Sequence, residues 1–430
     1  MAYLFGASHS LPLSVVYRRL LASAVAILAL AVPSAASAEV VVDGTVNRIT
    51  LEGLRKTREA VVYDLLEVTP GDPVTPDLLQ SIEETLIDSD LFATVEVTAR
   101  PITTAGTTDT AIEEDPREIV ILLDEKWTLV PIPFFTTDGD SYQGGLIVIE
   151  TNLLGFNKQL ISAGFLGTEG VRGFVAYGDP SVLGSQWTTG LSAGLGRNEE
   201  ERELPDGTVL RSFEYDQQRL SATVGYNFTR RFSVSGGIGY ERWELISGDD
   251  LEDGQLWEPA VTTRYNATRP VDVLRVGPTA QLGARTVTYQ SGWEVSADAE
   301  WAVPVATTHR VRLTASGGIG DMPTVAEAVL SGDGYRTLPF QSVAADRWGS
   351  VSTTYDLPVL SAGWGALVLS HFWELGNYTN DDVDPRSFYG PGGGFRVYIR
   401  QVAIPALGLD VAYNIPDRGI AFSFSLGAQM

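Results

Sequence analysis

Ser370 and His371 adjoin in the sequence, and the other histidines are His9 and His309. A serine nucleophile needs a base within hydrogen-bonding reach. Residues 370 and 371 fall in a stretch where apolar and polar residues alternate, and neighbours on a strand point to opposite faces. A Ser–His pair would therefore have to form across strands. His309 and His371 also fall near the ends of expected strands, where an interfacial role suffices, and His9 lies in an expected leader. A lipase or other hydrolase is not expected, and no residue is assigned a catalytic role. The chain has no cysteine, which removes disulfides and thiolate metal sites. With so few histidines, neither a metal nor a cofactor is expected. The formal charge of −24 argues against nucleic acid as a partner.

The elements that must position any function begin with an export signal. Arg18 and Arg19 precede an apolar run from Leu20 to Val32, and Ala36-Ser37-Ala38 supplies small residues for cleavage. Pro33 ends the run short of the roughly 20 apolar residues a membrane helix needs. Residues 1–38 are thus expected to be removed. Loss of the two arginines takes −24 to −26.

Residues 39–126 form a small soluble unit. Val46 to Leu51 reads as a strand ended at Gly53. Val61, Val62, Leu65 and Leu66 share one helical face that stops before Pro70-Gly71-Asp72. Thr75 caps a second helix with Pro76 at its first position, and Leu78, Leu79, Ile82, Leu86 and Ile87 are its buried stripe. Strands from Thr94 to Arg100 and from Glu118 to Asp124 follow, joined by a loop from Thr103 to Glu114. The order is β-α-α-β-β.

From residue 127 to 430 the period changes to two. Leu220, Ala222, Val224, Tyr226 and Phe228 interleave with Ser221, Thr223, Gly225 and Asn227. Trp293, Val295, Ala297, Ala299 and Trp301 interleave with Glu294, Ser296, Asp298 and Glu300. Charges at every second position are costly against hydrocarbon, about 2–4 kcal/mol at mid-depth for a cation. The charged set must line a wet lumen and the apolar set must face lipid. A soluble β-sandwich also alternates, but the export signal and a chain ending on the strand Gly419–Gly427 favour a closed transmembrane antiparallel β-barrel. Fifteen strands are evident, starting near Leu129, Gln143, Gln159, Val171, Trp187, Gln218, Phe232, Leu274, Gly292, His309, Arg347, Gly363, Tyr389, Ala406 and Gly419. Closed bacterial barrels have even numbers, so a sixteenth is expected between Glu244 and Asp272, best placed at Pro259–Tyr265. Twelve or fourteen strands are the alternatives. Acidic residues gather at Glu199–Glu201, at Asp249, Asp250 and Asp253, and at Asp381, Asp382 and Asp384. Solvated loops account for them; divalent cations bridging them to anionic headgroups is the sharper reading.

Backbone chemistry offers one further feature. Pro131 and Pro133 begin the first barrel strand, and residues two apart direct their N–H positions to the same neighbour. If that neighbour is the last strand, with Phe422 and Phe424, the seam lacks two donors and could lend its edge to an incoming β-segment. Otherwise the prolines stiffen the junction between domain and barrel. The sequence leaves both open.

The β-α-α-β-β order, with Gly71-Asp72 and Leu91-Phe92-x-x-Val95, resembles a POTRA domain. Glu125-Lys126-Trp127-Thr128-Leu129-Val130-Pro131-Ile132-Pro133 resembles the segment by which such a domain enters the barrel of BamA/TamA-type outer-membrane assembly proteins, the bacterial surface antigen family. Asn152-Leu153-Leu154-Gly155 is similar to that family's second hairpin, and Gly392–Arg396 and Gly408–Tyr413 to its closing strands. The resemblance spans nearly all of the mature chain, with room for one POTRA domain only. It implies that a long loop folds back into the lumen carrying an arginine, with five strands after it. Pro323–Asp346 fits, holding Gly332, Gly334, Tyr335 and Arg336, and Phe372, Glu374 and Gly376 match the aromatic–acid–glycine pattern of the second of those strands. Parity puts Leu367, Leu369, Trp373 and Leu375 on one face and Ser370, Phe372 and Glu374 on the other. Arg336 is thus expected to reach Glu374 and pin the loop. The order Tyr335-Arg336-Thr337 departs from the family's Arg-Gly-aromatic. Val171-Arg172-Gly173-Phe174 has that literal order but falls on an early strand and is read as coincidence. The chain ends in Met430 where an aromatic residue is common, so its own insertion signal would rest on Phe422 and Phe424. The implied work is insertion or translocation of a polypeptide client received by the POTRA domain in the periplasm, with outer-membrane lipid, a second copy or a separate periplasmic chain as further partners. A passive or lipid-conducting pore is the alternative.

Overall fold

The computed structural model describes residues 44–102, 116–137, 142–167, 170–203, 208–248, 252–288, 291–305, 308–330, 334–338, 343–380, 383–402 and 406–426. The expected leader, the loop from Thr103 to Glu114, Gly332, Asp249, Asp250, Asp381 and Asp382 lie outside the described residues.

The small unit consists of β1 (Thr45–Glu52), α1 (Glu59–Leu65), α2 (Pro76–Asp88), β2 (Phe92–Pro101) and β3 (Pro116–Glu125). Strand β3 is central, parallel to β1 and antiparallel to β2. The Thr75 hydroxyl accepts the Leu78 N–H at 3.0 Å, satisfying a donor that the first turn of α2 leaves free. Ile82 and Leu86 of α2 and Val62 of α1 pack on Val46, Phe92, Ile119 and Ile121. One side of one sheet is thereby buried, which is what the 3.6 and 2.0 periods require.

The ring begins with β4 (Leu129–Thr137), β5 (Tyr142–Glu150), β6 (Gln159–Gly167), β7 (Gly170–Asp179), β8 (Trp187–Glu203), β9 (Val209–Asn227), β10 (Phe232–Ser247) and β11 (Gly254–Asn266). After the three-residue β12 (Arg269–Val271) come β13 (Leu274–Thr286), β14 (Trp293–Val305) and β15 (His309–Asp321). The following loop carries the two-residue pair β16 (Ala328–Val329) and β17 (Ala344–Ala345). β18 (Arg347–Ala362), β19 (Gly365–Asn380), β20 (Val383–Ile399), β21 (Ala406–Asn414) and β22 (Gly419–Leu426) complete it. The sheet is one closed barrel in which β22 lies beside β4. Leaving aside β12, which only extends the turn into β13, sixteen strands form the wall. The sixteenth is β11, which includes Pro259–Tyr265. A single ring, rather than two facing sheets, excludes the sandwich.

Sidedness follows the alternation. Leu220, Val224, Trp293, Val295 and Trp301 are exposed on the outer wall, while Glu294, Arg310, Arg312 and Asp356 are buried within. Three boundaries differ from the sequence reading. β9 begins at Val209 rather than near Gln218, β20 begins at Val383 rather than near Tyr389, and Glu199–Glu201 belong to β8 rather than to a loop. Pairing continues past the apolar band, where charged residues occupy both faces and erase the alternation. There the Arg197 guanidinium meets Asp216 across β8 and β9 at 3.0 Å. The wall is uneven as a result. β8–β10 and β18–β20 run sixteen to nineteen residues, but β4–β7, β21 and β22 run only eight to ten.

The small unit packs against the turns at one end of the barrel. Lys56 Nζ donates to Glu150 and Thr128, each at 2.6 Å, and Glu125 accepts the N–H groups of Lys56 and Thr57. Arg275 reaches Asp88 at 2.9 Å, and burial there raises the Asp88 carboxyl above its ordinary pKa against the opposing pull of Arg275. The turns after β5 and β7 each place a leucine in left-handed backbone, Leu154 at φ +55° and Leu183 at φ +53°, and a glycine follows in both. For a residue with a Cβ that conformation costs roughly 1–2 kcal/mol.

Candidate functional site: a lumenal latch and a strand seam

The loop between β15 and β18 folds into the barrel, and its anchor is a carboxylate. On β19 the side chains alternate, so Trp373 and Leu375 face outward while Phe372 and Glu374 are fully buried inside. Glu374, at 0% exposure, accepts Arg336 Nε at 2.9 Å on one oxygen and the Thr337 N–H at 3.0 Å on the other. The Gly334 N–H adds a contact at 3.2 Å, made from a backbone at φ +94°. Arg336 is itself 3% exposed; it donates to Thr354 at 3.0 Å, and its guanidinium carbon lies 3.5 Å from the Phe372 ring centroid. One carboxylate thus gathers a guanidinium and two loop N–H groups. Away from bulk water such charge-assisted bonds are at their strongest.

Two glycines make the room. A Cβ on Gly392 would fall 2.1 Å from the Phe372 ring, and one on Gly376 would fall 2.3 Å from Phe388. Phe388 in turn packs with Tyr335, Leu338, Tyr378 and Val383, which bury the loop's apolar side chains. The expected residues Gly334, Tyr335, Arg336, Phe372, Glu374 and Gly376 therefore meet in one place.

The latch continues into a ladder of charge. Arg336 lies 3.6 Å from Asp410 of β21, and Asp410 takes Arg396 of β20 at 2.9 Å. Arg396 donates to the Ser370 hydroxyl at 2.7 Å, and Ser370 donates to Asp356 of β18 at 2.6 Å. Asp356, at 0% exposure, holds Arg310 at 2.7 Å and Arg312 at 3.1 Å, both from β15. Arg310, Arg312, Thr354 and Asp356 were not singled out from the sequence. Their signal is there: arginines two apart in an otherwise apolar alternation must share the lumenal face and need an acid opposite.

The same contacts dispose of the serine and histidines. Ser370 is occupied by Asp356 and Arg396. His371 lies mid-strand on the outer face of β19, not near a strand end as expected, and the His309 ring pairs with the Tyr355 hydroxyl at 2.5 Å. Among the described residues no group of three or more His, Cys, Asp or Glu could hold a metal.

At the seam, the alternation of backbone hydrogen bonds along β4 decides which way the prolines face. The Thr128 carbonyl accepts the Thr151 N–H on the β5 side at 3.0 Å, whereas the Trp127 N–H donates to Gln401 on the opposite side at 2.7 Å. Even-numbered residues of β4 therefore bond to β5, and odd-numbered ones turn toward β22. Pro131 and Pro133 sit opposite Val148 and Leu146 as non-bonded pairs, so the two missing donors lie on the β22 side. Phe422 of β22 is exposed on the outer wall; the Phe424 side chain lies outside what is described.

Comparison with known proteins places these features. Residues 44–126 match the POTRA family model, described as a surface antigen variable number repeat. Among solved structures, CdiB from Acinetobacter baumannii is 14% identical over 89% of this chain and 73% of its own, with a TM-score of 0.59. CdiB from Escherichia coli is 11% identical over 94% and 91%, with a TM-score of 0.54. BamA from Haemophilus ducreyi lacking POTRA domains 1–3 is 14% identical over 88% and 83%, with a TM-score of 0.51. No curated protein matches the sequence significantly. At these identities the likeness is one of fold.

Proposed function

We infer that this chain, an outer-membrane barrel of BamA/CdiB-like fold carrying one POTRA domain, inserts or translocates polypeptides rather than catalysing a reaction. The observation that carries the inference is the seam. Two consecutive donors are absent where β4 turns toward β22, which weakens the contact that closes the ring. An edge so released can add an incoming strand through main-chain hydrogen bonds. The low wall favours the same place: β21, β22 and β4 to β7 are at or below the roughly 9–11 residues a tilted strand needs to cross hydrocarbon. The POTRA domain, held in the periplasm against the barrel turns, is the element that would receive a client, and its outer sheet edges are β1 and β2.

A resting lumen filled by the latched loop does not suit a steadily conducting pore. Loop residues Leu330, Tyr335 and Leu338 bury against β18, β19 and β20, and Val325 and Ala326 bury against Phe213, Trp243 and Leu256. Depletion of the protein followed by an inventory of outer-membrane proteins and lipids tests the assignment. Broad loss of barrel proteins is the expected result for insertion, and loss of one secreted protein is expected for dedicated export. An unchanged protein inventory contradicts both and returns the chain to the pore class.

A further inference from the structure

The two strained leucine turns have no part in the latch or the seam. Turn 151–158 carries Leu154-Gly155, and turn 180–186 carries Val182-Leu183-Gly184. In both, a leucine and then a glycine adopt positive φ: +55° and +79° in the first, +53° and +72° in the second. Asparagine, aspartate or glycine is the ordinary occupant of such backbone; a leucine kept there needs a use for its side chain. That side chain is not packed in the protein. Leu183 is 97% exposed and Leu154 72%.

The glycine side of each turn is in use. A Cβ on Gly155 would fall 2.1 Å from the Lys56 carbonyl, and one on Gly184 would fall 2.9 Å from the Asp64 carboxylate. The Arg58 N–H donates to the Gly155 carbonyl at 3.0 Å. These contacts sit at the two ends of α1. Seven residues of helix span about 10 Å, close to two strand spacings of roughly 4.8 Å, which is the separation of neighbouring turns at one end of a barrel. The turns therefore grip α1 at both ends through their glycines and present leucine on the side that α1 leaves open.

We propose that Leu154 and Leu183 insert into the periplasmic leaflet of the outer membrane, so that the two turns clamp the POTRA helix α1 to the phospholipid surface. Three observations select a lipid as the occupant. The patch is continuous with the lipid-facing wall, because Trp187, Tyr226, Phe228 and Phe232 form an unbroken aromatic row at the same end of the barrel, with neighbouring centroids 4.9–5.7 Å apart. Aromatic rows of this kind mark the depth of the interface. Phe156, beside Leu154, is half-exposed and lies under the Arg58 guanidinium at 4.1 Å, a pairing of apolar contact and positive charge that suits a phospholipid headgroup. Two single leucines are also too small a surface to hold a protein partner by themselves.

The absence of cysteine makes the test direct. Full-length protein carrying Leu154→Cys or Leu183→Cys is labelled with an environment-sensitive fluorophore and placed in phosphatidylethanolamine–phosphatidylglycerol vesicles. The expected result is blue-shifted emission quenched by a spin-labelled phospholipid and shielded from aqueous iodide. A label at Glu84→Cys, on exposed α2 surface, should show the reverse. Emission at 154 and 183 that iodide quenches and the lipid spin label does not would overturn the proposal, as would shielding that arises only when periplasmic extract is added. The double variant Leu154→Gly, Leu183→Gly relieves the strained backbone and so should fold at least as well. It should nevertheless raise amide exchange of residues 59–65 several-fold in vesicles; unchanged exchange would assign the leucines no anchoring role.

Discussion

Glu374→Ala should release the loop from the lumen. The substitution leaves the Arg336 guanidinium and the N–H groups of Gly334 and Thr337 without their shared acceptor inside a buried site. Breaking a buried ion pair from one side costs about 3–5 kcal/mol, enough to raise the loop-out population by roughly two to four orders of magnitude. Single-channel conductance should rise, and trypsin should gain access to the bond after Arg336. Arg336→Ala should act in the same direction, because Glu374 then loses its guanidinium partner inside the buried site. Unchanged conductance and unchanged cleavage in both variants would remove the latch.

An effect of comparable size is expected one step further along the ladder, and it should appear as stability rather than gating. Asp356→Ala removes the carboxylate that Arg310 and Arg312 share, while Arg312 still meets Glu300 at 3.3 Å. About 3–5 kcal/mol is again the scale. The folded barrel should convert to its slow-migrating unfolded form on a gel at a distinctly lower temperature. Ser370→Ala, which removes two hydrogen bonds but no charge, should shift that temperature much less. Equal shifts in the two variants would mean that hydroxyl packing, not charge pairing, holds this wall.

Why much of this could be read from the chain is a matter of period. The membrane forces a dyad repeat on each spanning segment, so Leu220–Phe228 and Trp293–Trp301 announce strand, face and environment together. Glu374 could be assigned to the lumen by parity alone, and the structure places it there. Where the chain leaves hydrocarbon the constraint lapses. The outer parts of β8, β9 and β20 alternate poorly because water tolerates charge on either face, and their lengths were underestimated for that reason. Asp356 was legible in principle as the acid facing Arg310 and Arg312, but only once β15 and β18 are known to be neighbours, and the long loop 322–346 separates them in sequence. The facing of Pro131 and Pro133 was not legible at all. It depends on which bonds Thr128 and Trp127 make across two different neighbours, a property of the closed ring rather than of the segment.

Client handling is expected to depend most directly on the junction between the first and last strands. Cysteine pairs introduced across β4 and β22, in a protein that has no cysteine of its own, allow that junction to be locked by oxidation and freed by reduction in the same sample. Handling of polypeptide clients should stop when the lock is closed and return when it is reduced, while the barrel stays folded throughout. Full activity with the lock closed would contradict the account.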